Sequence, residues 1–177
     1  MKWFKQILGI LRAGNSVVTA EPSQILIQQD YYSIAWGLKH NGCYMNSEGI
    51  KYSYDKPQKW NFYERLNSNG QKERSWGNDK ISFIERNKLL MNLEFCEKSY
   101  SKSKFDQDNL LNLIDELTNS ELIETMVGGC DMGLHSTSLL VFDSLNNTYR
   151  RILLGCQGDF SLELNTDKRM IIYDLIK

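Results

Sequence analysis

The segment STSLLVFDSLNNTYRRILLGC, residues 136–156, constrains the fold more than any other part of the chain. Two runs of β-branched and aliphatic residues flank the turn-forming Ser144-Leu145-Asn146-Asn147, which reads as a β-hairpin. The chain therefore needs an antiparallel sheet to place it in.

More strand-like text lies upstream. From Ile25 to Tyr54 the sequence runs ILIQQ and then YYSIAWGLKHNGCYMNSEGIKYSYD, with turn signals at Asn41-Gly42 and at Asn46-Ser47-Glu48-Gly49. Asn41-Gly42 between SIAWGLKH and CYMN predicts a type I′ hairpin, since both central residues of that turn need positive φ. Ile50, Tyr52 and Tyr54 alternate with Lys51, Ser53 and Asp55, giving that strand one apolar and one wet face. Residues 58–79 are polar with two tryptophans, and they read as a long loop.

Helical spacing begins at Asp79, with Phe83, Ile84, Leu90, Met91 and Phe95 recurring to about Glu97. Asp106 caps a second helix with the stripe Leu110, Leu113, Ile114 and Leu117, ending at Asn119-Ser120. After GDFSLELN, Thr166 caps a last helix with Met170, Ile171, Leu175 and Ile176 turned inward. The expected class is α+β: an antiparallel sheet of about five to six strands, with helices packed on one side.

A chain of 177 residues suits a single domain, here a body over 22–177 preceded by an N-terminal helix over 1–14. In that helix Trp3, Phe4, Ile7, Leu8, Ile10 and Leu11 share one face and Lys2, Lys5, Gln6, Gly9 and Arg12 the other. Its apolar run from Ile7 to Leu11 is too short for a signal peptide. It is expected to dock on the body, with a membrane-surface role for residues 2–13 as the alternative. A net charge of -1, from 21 basic and 22 acidic residues, lacks the cationic surplus that nucleic-acid binding needs. Cys43, Cys96, Cys130 and Cys156 form no C-x-x-C pair, and reduced, buried thiols in a cytoplasmic protein are expected.

The chemically richest stretch is VGGCDMGLHS, residues 127–136. A four-residue loop at 144–147 sets His135 opposite Cys156, whereas a two-residue Asn146-Asn147 turn sets it opposite Gly158, beside Asp159. Cys130, His135, Cys156 and Asp159 thus form the candidate site of an enzyme or metal reading. With His40 and His135 as the two imidazoles, no metal and no cofactor are expected, and the glycines serve to turn the chain into the sheet. No phosphate-binding loop, nucleophile elbow, zinc-protease helix or dinucleotide fingerprint occurs.

The order of YYSIAWGLKHNGCYMNSEGIKYSYD, two central helices, and a hairpin with LLGCQGDFSLELN resembles small bacterial immunity proteins of polymorphic and contact-dependent toxin systems. The shared points are a Trp-Gly, turn glycines, a Gly-Asp and an Asn cap, so the resemblance carries over no site residue. It implies a non-enzymatic protein that neutralises a cognate toxin domain by occluding its active site. The interface expected from the residues themselves is Trp60, Glu64, Trp76 and Asp79, which share one long irregular segment.

Overall fold

A computed structural model describes residues 24–33, 39–55, 65–66, 72–73, 79–125, 133–158 and 161–176. The N-terminal helix expected over 1–14 lies outside these residues.

The structure is dominated by one antiparallel sheet. Its strands are β1 Ile25–Ser33, β2 Lys39–Asn46, β3 Ile50–Asp55, β4 Arg65–Leu66, β5 Lys72–Glu73, β6 Ile81–Glu85, β7 Glu97–Tyr100, β8 Leu122–Thr125, β9 Leu134–Asp143, β10 Thr148–Gln157 and β11 Ser161–Leu164. The helices are α1 Arg86–Glu94, α2 Gln107–Leu111, α3 Ile114–Asn119 and α4 Lys168–Leu175. The strand order is β5-β4-β6-β10-β9-β1-β2-β3-β7, with β11 on β10 and β8 on β11. The α+β reading with an antiparallel sheet therefore stands, but the expected five to six strands are too few.

The hairpin of β9 and β10 forms as its text suggests. Asp143 Oδ1 accepts from the amides of Leu145 (3.0 Å) and Asn146 (3.3 Å), and Asn147 takes the left-handed φ of 51° that closes the four-residue turn. The Asn146 side chain, which donates to Asp143 Oδ2, together with the turn amides holds the Asp143 carboxyl below its ordinary pKa. Pairing starts at Thr148↔Asp143 and shifts between Leu153 and Gly155, so Leu154 is a bulge. That bulge divides the other edge of β10: residues 148–152 pair with β6, and residues 155–157 pair with β11.

Helices cover both faces of the sheet, not one. Ile25, Ile27, Met45, Leu139, Val141 and Ile152 pack with Leu110 of α2, Ile114 and Leu117 of α3, and Ile172 of α4. Leu26, between Ile25 and Ile27, points the other way, where Tyr44, Tyr54, Leu140 and Tyr149 meet Leu89 of α1. We call these the first and second faces. The central strands are apolar on both sides, as a doubly covered sheet requires.

Several local expectations are corrected. Asn41-Gly42 makes no hairpin turn: both residues lie inside β2, opposite Tyr31 and Asp30 of β1. A Cβ on Gly42 would sit 2.3 Å from Gln29 O and 2.5 Å from the Tyr54 hydroxyl, so the glycine answers to close packing. The second turn is real, and Gly49 supplies its positive φ of 80° between β2 and β3. Phe83 and Ile84 belong to β6, so the helix expected from Asp79 begins only at Arg86. The segment read as a long loop contains β4 and β5. Asp106 does cap α2, its Oδ1 accepting from Asp108 N at 3.0 Å. On α4 the buried residue is Ile172, while Met170 and Ile171 are exposed. No helix among the described residues is long and apolar enough to cross a membrane.

Candidate functional site

The bulge at Leu154 overturns both registers expected for His135. Beyond it the pairs are Gly155↔Thr137, Cys156↔Ser136 and Gln157↔His135. His135 and Cys156 therefore occupy opposite faces of the sheet, because neighbours along a strand alternate sides. Cys156 is buried, and that burial raises its thiol pKa, the reverse of what a nucleophile needs. Cys130 and Asp159 lie outside the described residues, as do Trp60, Glu64 and Trp76. Asp79 is half-buried just before β6. Among the described residues no group of three or more His, Cys, Asp and Glu side chains could hold a metal ion.

Two polar features emerge instead, back to back on β1 and β2. On the second face, Asp30 and His40 are 6 % and 4 % exposed. Asp30 Oδ1 accepts from the Tyr54 hydroxyl at 2.5 Å and meets His40 Nε2 at 2.9 Å. Gln28 Nε2 donates to the Tyr44 and Tyr54 hydroxyls, each at 3.4 Å. The His40 ring stands edge-on to Tyr54 (5.4 Å between centroids) and Tyr32 (5.8 Å). Burial, with the Asp30 charge beside it, drives the Tyr54 hydroxyl pKa well above its ordinary value. A buried carboxyl group persists only when it is bonded, and this network supplies two contacts, both to Oδ1. Its members are all buried, and its bonds tie β1, β2 and β3 together.

The first face is different. Its apolar half lies under α2, α3 and α4, while its polar half forms an open hollow of about 410 Å³. Gln29 and Tyr31 of β1, Asn41 of β2, Lys51 of β3, and His135 and Thr137 of β9 line it. All are positions that register places on this face. Tyr31 and His135 lie ring to ring, 4.3 Å between centroids and tilted by 36°. Cys43 at the floor donates to Gln29 Oε1 (3.8 Å). Burial pushes its thiol up, more strongly than the nearby Lys51 ammonium draws it down. Thr137 hydrogen-bonds Tyr173 of α4, which ties the hollow's rim to the last helix. The sequence held one signal for both features: polar Gln28, Gln29 and Asp30 interrupt a strand that is otherwise apolar.

The described thiols, Cys43, Cys96 and Cys156, are free. Cys96 is pushed up from 9.0 to about 11 and Tyr149 from 10.0 to about 12, both chiefly by burial. Each folded-state pKa lies above its unfolded value, so each contribution is fully present below the unfolded pKa and is lost as pH rises through the folded one. Stability is expected to hold near neutrality and fall between pH 9 and 12. Urea midpoints measured across that range check this, and a flat profile would contradict it.

No protein-family model, no curated protein and no solved structure matches the chain.

Proposed function

We propose that the chain is a non-enzymatic protein-binding module of the immunity type, acting in the cytoplasm by covering a cognate bacterial toxin domain and occluding its active site. The observation that carries this reading is the exposure of large apolar side chains where α1 hands over to β7. Met91 is 50 %, Phe95 56 % and Tyr100 85 % exposed, all within residues 91–100. Three such side chains exposed within ten residues mark a candidate contact surface, and aromatic anchors carry most of the energy of protein interfaces. Beside them, Lys98 lies over the Tyr52 ring (5.6 Å), which supplies a charge at the rim. The chain carries 21 basic and 22 acidic residues, a balance that suits recognition of one partner by charge pattern over attraction by net charge.

The test is co-expression with candidate toxin domains, starting with any encoded by a neighbouring gene, read as rescue of growth and as a complex on gel filtration. Phe95→Asp with Tyr100→Asp is expected to weaken binding by about 2 kcal/mol or more and to abolish rescue. Its melting temperature should match that of the parent, because both side chains are largely in solvent. Full protection by that variant would remove this surface from the reading, and the absence of any complex with the parent would remove the reading itself.

A further inference from the structure

We propose that the hollow on the first face is a binding site for a sugar bearing an anionic group, a carboxylate or a phosphate. It shares no residue with the surface at 91–100, so it stands or falls independently of toxin binding. The charge of the lining sets the first half of the assignment. Lys51 brings an ammonium, and the lining carboxylate, Asp30, is turned to the second face and engaged by His40 and Tyr54. Asp55 and Glu97, the acidic residues of β3 and β7 on the same face, are not among the lining residues. A cation with no carboxylate facing it from the first-face side chains among the described residues complements an anion.

The neutral groups set the second half. Asn41 offers an amide with both donors and an acceptor, Gln29 the donors of an amide whose oxygen accepts from Cys43, and Thr137 a hydroxyl that also bonds Tyr173. Such groups, spread over neighbouring strands, match a ligand with several hydroxyls better than a compact ion. The Tyr31 ring, held against His135, gives the C–H face of a sugar ring a flat surface to lie on. A volume of about 410 Å³ falls in the range of small-molecule sites and admits one or two sugar units.

Glucuronate, glucose 6-phosphate, glucose and inorganic phosphate, titrated separately into the intact chain and followed by the NMR signals of His135 and Tyr31, test the assignment. Both anionic sugars are expected to shift these signals and to bind about tenfold more tightly than glucose or phosphate alone. Preference for one of the two identifies the anionic group. Lys51→Met is expected to remove the advantage of the anionic sugars over glucose, with the fold intact because Lys51 is only half-buried. His135→Ala should weaken all three sugars through loss of the ring pair, and it serves as the second variant if the first fails to fold. Equal binding of glucose and glucuronate, equal binding of phosphate and glucose 6-phosphate, or no shift with any probe would each overturn the proposal.

Discussion

Asp30→Ala is expected to cost about 3–5 kcal/mol of folding stability, because two buried groups each lose a partner at about 1–3 kcal/mol apiece. The loss has two parts. His40 and the Tyr54 hydroxyl, both buried, each lose the oxygen they meet, and neither can turn to water for a substitute. Tyr54→Phe removes the bond to Asp30 and the longer one from Gln28 but leaves the Asp30–His40 contact, so it should cost less, about 1–2 kcal/mol. Urea unfolding of the two variants and the parent measures the difference. Equal effects, or an Asp30→Ala loss below about 1 kcal/mol, would mean that the network is not what holds these strands in register.

Gly42→Ala should cost about 3 kcal/mol, at the upper end for overpacking in a well-filled interior. The added methyl would meet Gln29 O at 2.3 Å and the Tyr54 hydroxyl at 2.5 Å. The first neighbour is backbone of the paired strand and cannot move without parting β1 from β2. Combining Gly42→Ala with Tyr54→Phe relieves only the second clash, so the double variant should recover less than half of the loss. Near-complete recovery would show that the hydroxyl, and not the strand pairing, forbids a side chain here.

Gly42 also shows why some of the fold was legible and some was not. Asn-Gly is the signal of a tight turn, but a glycine demanded by a close approach between strands looks identical in sequence, and only the position of Tyr54 distinguishes them. The hairpin at 134–157, the turn at Gly49 and the cap at Asp106 were readable because each is decided by residues a few positions apart. Strand β6 was not: ISFIERNKLLMN offers apolar residues that suit a helix, and its strand state comes from pairing with Arg150 and its neighbours, far along the chain. The candidate site failed for a related reason. Any residue of a strand can bulge, and the extra residue at Leu154 moved His135 to the other side of the sheet from Cys156. The hollow and the Asp30 network draw on three or four strands each, so their members become neighbours only once the pairing of β1 with β2 and β9 is known.

The fork at Leu154 has a further consequence, for self-association. A sheet whose strands form a simple row has two ends; one that branches has three, and here they are β5, β8 and β7 among the described residues. The long strands β1, β9 and β10 are paired on both sides, and the ends fall to strands of two, four and four residues. Short borders offer too few open amides and carbonyls to template another chain, and Lys98 adds a charge to the border at β7. Branching thus multiplies the places where fibril growth could start and shortens each of them. A visitor at β7 finds little backbone to zip onto and must engage the side chains.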